Sequence, residues 1–241
     1  MPDAQESDSM STRQQRIAER AKQFPEAGFT SLAHLMDLSW MQAAWSRTRR
    51  DGALGVDGLG YEDYVGEQAP QWLADLLDRA KSGAYQAPPV RRVHIPKGTG
   101  PETRPIGIPT YEDKVLQRAV VMVLETIYEQ DFLDCSYGFR PGRSAHQALQ
   151  AVWQQAMDMG RCWIVEVDIR KFFDTLDHAH LREFLRYRIR DGVLLRLIGK
   201  WLNAGVMEDG SISYPDEGSP QRGVVLPGQC LPSCLFASRF C

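Results

Sequence analysis

The stretch 163-WIVEVDIRKFFDTLDH-178 decides how this chain folds. Trp163, Ile164, Val165 and Val167 make a short apolar run of β-prone residues, the composition of a buried strand. Asp168 stands where that strand leaves the core, followed by Ile169, Arg170, Lys171, Phe172 and Phe173. A strand that delivers a carboxylate to the surface suits Mg2+, a hard cation that binds through one or two carboxylates together with substrate phosphates. The Ile169 carbonyl would lie beside the same ion. The N–H groups of Arg170, Lys171 and Phe172 could face phosphate as the chain turns, and Phe173 could pack under a nucleotide sugar. The plain alternative is a solvated turn aspartate with two core aromatics behind it, and Asp174 and Asp177 starting the next helix. The stretch alone leaves both open.

The chain has 241 residues, 43% hydrophobic and 24% charged, enough for a sizeable core in one large or two small domains. No apolar run approaches the ~20 residues of a membrane span. The polar N-terminus, MPDAQESDSMSTRQQR, lacks the apolar segment of a secretory signal, so a cytoplasmic protein without a membrane partner is expected. The five cysteines show no CxxC spacing, which speaks against zinc, and Cys230, Cys234 and Cys241 crowd the C-terminal end. A net charge of −3 does not mark a polyanion binder, but the charge is uneven. Residues 88–110 hold Arg91, Arg92, Lys97 and Arg104 against Glu102 alone, and residues 182–200 are also rich in arginine. Local basic surface binds phosphate even on a slightly acidic protein.

Working outward, residues 1–29 read as a poorly ordered segment, with too little apolar content at 1–12 to pack. A helical extension is expected over 30–85. Leu32, Leu35, Leu38, Met41 and Trp45 share one helical face, the glycines of DGALGVDGLG break the pattern, and a second helix runs over about 61–81. VRRVHIPKGTGPETRPIGIPT predicts a β-hairpin turning near 98–103. A long helix follows from Tyr111. Ser144 is placed to cap a helix over AHQALQAVWQQAMDM, and Asp177 to cap one from His178; a further helix is expected near 192–204, then a short hairpin. His178 and His180 flank a helix start with no nucleophile nearby and read as structural or surface residues.

GALGVDGLGYEDY, YQAPPVRRVHIPK, TRPIGIPTYEDKVLQRAV, LDCSYGFRPGRSAHQAL, VDIRKFFDTLDH, WLNAGVMEDG and EGSPQRGVV occur in this order. Together, over about 50–227, they resemble the group II intron-encoded reverse transcriptase/maturase. The resemblance implies an α/β fold: right-hand polymerase fingers and a partial palm over 86–227, with a helical N-terminal part and an incomplete palm sheet. It implies an RNA-directed DNA polymerase that adds dNTPs to a DNA primer on an intron RNA template with Mg2+. Asp168 is then the catalytic, metal-binding aspartate, with Ile169 supplying a carbonyl. Lys97, Arg104, Arg170, Lys171, Phe172, Phe173 and Gln221 are implied around the nucleotide, Phe173 beneath its sugar. Pro105, Ile106 and Ile108 are implied as the floor under the template base, and Arg140 and Arg143 as template-strand contacts, although Arg140 could equally be a structural pin. A homodimer is left open.

The pattern fails toward the C-terminus. Arg222 stands where the family has glycine, and no Tyr-x-Asp-Asp occurs anywhere in the 241 residues. Residues 228–241 read as an aberrant tail. A reading-frame slip, a degraded copy or a deliberate short product would each leave such an end, and the expectation is a fragment inactive by itself. Two other functions remain: a non-catalytic intron-RNA-binding module, and a metal nuclease using Asp168, Asp174 and Asp177.

Overall fold

The computed structural model describes residues 3–96, 98, 100–168 and 175–214, with side chains from residue 10 onward. At its centre is helix α4 (Tyr111–Tyr128), which opens with the Thr110 hydroxyl accepting the Asp113 N–H at 3.3 Å. Val115, Leu116, Ala119, Val120, Val123, Leu124 and Ile127 are all buried, so this helix is apolar on almost every side and must be enclosed. Helices α1 (Asp3–Gln23), α2 (Leu38–Ser46) and α3 (Ala69–Ser82) pack around it. Trp40 of α2 donates its indole N–H to the Ala119 carbonyl at 2.9 Å, so its one polar atom is satisfied inside the core.

Helix α5 (Ala145–Met159) starts with a reciprocal cap between Ser144 and Gln147. Helix α6 (His178–Arg188) is capped by Asp177, whose carboxylate accepts the His180 N–H at 2.8 Å. Helix α7 (Gly192–Leu202) starts at Asp191, which accepts from Val193 and Leu194 and also from Leu32 and Ala33 in the N-terminal part. Burial pushes the Asp191 carboxyl up, but these four N–H groups outweigh it and hold it below the usual range. Strands β1 (Val90–Pro96), β2 (Thr103–Ile108), β3 (Val206–Glu208) and β4 (Ser211–Ser213) form one mixed sheet in the order β2-β1-β3-β4. β1 runs antiparallel to β2 and parallel to β3. The α/β class and the hairpin at 90–108 agree with expectation.

Three expectations need correction. The segment expected to be poorly ordered carries α1. Between Pro2 and Pro25 it has no glycine or proline, so helix propensity is high, and Ile17 and Ala21, one turn apart, are buried. Arg188 then fixes the C-terminal end of α1. It is 2% exposed, pairs with Asp131 at 2.8 Å and donates to the carbonyls of Ala21, Phe24, Pro25 and Ala27. The helix expected from residue 30 is split by Asp37, which caps α2 through the Trp40 N–H at 2.9 Å. The third correction concerns 163–168. This segment is irregular and exposed, with Trp163 98% and Val165 83% exposed. A lone strand has no partner for its backbone groups, and none of β1–β4 lies beside it.

Candidate nucleotide and nucleic-acid interface

The β1/β2 hairpin pairs Arg91 with Ile108, Val93 with Ile106 and Ile95 with Arg104, without a bulge. Alternation therefore sets Arg104, Ile106 and Ile108 on one face of β2 and Pro105 on the other. Ile106 is buried at 5% exposure, whereas Pro105 and Ile108 are half-buried. Ile106 is thus turned inward, and Pro105 faces away from Ile108. Arg104 is exposed and has no hydrogen-bond or ion-pair partner among the described residues. Its neighbours are engaged. Arg91 donates twice to the Leu54 carbonyl at 3.0 and 2.7 Å, and Arg92 and His94 share Glu208 of β3 at 3.4 and 3.5 Å.

The glycine-rich segment 51–60 is fastened against the base of this hairpin. Besides the Arg91 bonds, Lys114 of α4 donates to the Ala53 carbonyl at 2.5 Å. Burial pulls the Lys114 ammonium below its ordinary value. Gly55 packs directly on Thr110: a Cβ there would meet the Thr110 Cα at 2.6 Å, so only glycine fits.

In GFRPGRS the two arginines part company. The Arg140 guanidinium is spent inside the fold, bonded to Glu129 at 2.7 Å and to the carbonyls of Leu133 and Ser136, over the Phe132 ring. At 8% exposure it is drawn into the fold, as the structural-pin alternative expects. Arg143 is looser, with a 3.3 Å pair to the solvated Asp134 and its guanidinium 5.4 Å from the Tyr137 ring centre. Between Gly138 and Arg140, Phe139 has φ 56° and a ring 73% exposed. Residue types alone do not reveal it, because nothing in a sequence marks a phenylalanine held in the left-handed region.

Asp168 is exposed, and no group of three His, Cys, Asp or Glu side chains placed to hold a metal exists among the described residues. Lys97, Ile169, Arg170, Lys171, Phe172, Phe173, Asp174, Gln221, Arg222 and the tail 228–241 lie outside the described residues. No described helix is long and apolar enough to cross a membrane.

Comparison with known proteins adds the kinship. The family model "Reverse transcriptase (RNA-dependent DNA polymerase)" matches residues 95–226. Protein YkfC of Escherichia coli (strain K12) is 42% identical over 176 residues, 72% of this chain and 46% of that protein. The group II intron-encoded protein LtrA of Lactococcus lactis subsp. cremoris is 33% identical over 214 residues, covering 88% of this chain and 35% of LtrA. The putative COX1/OXI3 intron 1 protein of Saccharomyces cerevisiae is 32% identical over 200 residues, 83% of this chain and 24% of its own length. The chain thus spans less than half the length of these curated relatives. A chain of the solved "Partial Cas6-RT-Cas1--Cas2 complex" superposes with a TM-score of 0.50 at 21% identity, over 83% of this chain and 32% of that one, a likeness of fold. With more than half of the chain matched by the family model, the chain belongs to the reverse transcriptase family, and a group II intron-encoded protein is among its relatives.

Proposed function

We propose that this chain forms the fingers and partial palm of an RNA-directed DNA polymerase, gripping an intron RNA template, a DNA primer and an incoming dNTP. The observation that carries this is Arg104: an exposed guanidinium with no partner among the described residues, toward the outer end of the β1/β2 hairpin and within the residues the family model matches. A forked donor held there suits a triphosphate, and Lys97 adds a point charge to the same role. Arg170, Lys171, Phe172, Phe173 and Gln221 complete the nucleotide side. Arg143, Ile108 and Pro105 remain for the template, while Ile106 and Arg140 support them from within. The units are a helical part over 30–85, fingers and partial palm over 86–227, and the tail 228–241.

Reverse transcriptases work with divalent metal ions, and Mg2+ is the ion whose oxygen preference matches Asp168. The described residues do not fit a complete centre, since Asp168 is a single exposed carboxylate outside any cluster of ligands. What these residues can do by themselves is bind and orient. The family match favours this reading over a non-catalytic RNA-binding module. The test is photo-cross-linking of a dNTP analogue to the chain on an RNA template with a DNA primer. Labelling should drop severalfold in Arg104→Ala and hold in Arg92→Ala, whose guanidinium is already engaged by Glu208. Equal labelling in both variants would count against the assignment.

A further inference from the structure

We propose that Phe139 is a stacking platform for an unpaired nucleobase of bound RNA, with Arg143 of the same loop taking the adjoining phosphate. The inference rests on the nucleic-acid reading above and adds a residue to it. Phe139 adopts φ 56°, a region that bulky side chains avoid because Cβ crowds the backbone. Glycine would adopt it freely, and the chain has glycine close by on both sides, at 138 and 142. Yet a phenylalanine occupies the strained position. The residue is 73% exposed, so it adds little to the packing. A side chain that costs the backbone strain and adds little to the core is held for something outside the fold.

The loop is built to hold the ring out. Arg140, the next residue, is anchored through Glu129 and the carbonyls of Leu133 and Ser136. Pro141 restricts Arg140 to extended backbone. With Arg140 drawn inward, the left-handed turn at 139 sends the preceding ring outward. The loop therefore presents its aromatic face with the backbone already fixed, so little ordering entropy is lost on contact. An exposed aromatic and a loosely held arginine on one loop are the means by which proteins take single-stranded nucleic acid: the base stacks and the phosphate pairs with the cation. The acid that pairs with Arg143, Asp134, is solvated and 3.3 Å away, so a phosphate can displace it.

The test uses the full chain and a short fluorescein-labelled single-stranded RNA, read by anisotropy alongside thermal melting. Phe139→Gly should bind about tenfold more weakly. It should also melt about 2–4 °C higher, because strain is relieved and no packing is lost. Phe139→Trp should restore the affinity, and Arg143→Ala should weaken binding and flatten its salt dependence. A lower melting temperature in Phe139→Gly would make the ring a packing element and overturn the proposal. Unchanged RNA affinity in Phe139→Gly would overturn it too, giving the ring to another partner while leaving the nucleic-acid reading intact. Failure of the unsubstituted chain to bind RNA would overturn both.

Discussion

Asp113 sits one turn into α4 and is wholly buried, accepting the Tyr85 hydroxyl at 2.5 Å, the Trp201 indole N–H at 2.6 Å and the Gln117 amide at 3.1 Å. It joins α4 to α7 and to the segment after α3, where Lys200 also reaches the carbonyls of Gly83 and Tyr85. Burial pushes its carboxyl up to about 7, beyond what the three donors hold down. The native state therefore keeps a proton that the unfolded chain has released above its ordinary value of 3.8. Stability from this group is greatest below about 4, falls by on the order of 1 kcal/mol per pH unit up to about 7, and is level beyond. Urea midpoints should show that slope in the unsubstituted chain, and the difference from Asp113→Asn should vary with pH inside that window and be constant above it. A pH-independent difference would mean that Asp113 stays ionised in the fold. None of this is legible from the sequence, where Asp113 reads as an ordinary first-turn acid of a helix.

At the scale of the element, α5 is anomalous. Leu149, Val152, Trp153 and Met157 recur at helical spacing, yet no residue of the helix is buried, and Asp158 is its single charged residue. The apolar run at 163–167 follows it, equally uncovered. Exposed apolar surface of this extent drives association, and an unpaired β-prone segment invites edge-to-edge pairing. The chain should self-associate at micromolar concentration, and light scattering should fall in Trp153→Glu and Val165→Glu with far-UV circular dichroism unchanged. A dispersed monomer in the unsubstituted chain, or scattering indifferent to both substitutions, would contradict this. The periodicity of α5 was plain in the sequence because a helix needs only local bonds. The segment 163–168 has the composition of a strand, but a strand forms only against a neighbour, and composition does not supply the neighbour.

For the whole molecule, the hairpin at 90–108, the long helix α4 and the caps at Ser144 and Asp177 were legible because turn chemistry, periodicity and capping are local. The N-terminal helix was not, since its place depends on Arg188 from more than 160 residues away. The same holds within the candidate site. Two arginines of GFRPGRS look alike in sequence, and only the fold turns Arg140 inward to Glu129 and leaves Arg143 at the surface. As proposed, these 241 residues bind a template and primer without extending the primer. Two metal ions held close together need shared acidic ligands, and the chain has Asp168 but no Tyr-x-Asp-Asp. The most direct measurement is a labelled DNA primer on an RNA template, incubated with the chain, dNTPs and Mg2+ and resolved on native and denaturing gels. The account predicts a primer that is retarded on the native gel and unextended on the denaturing one. A primer extended by the chain, with extension lost in Asp168→Ala, would contradict it.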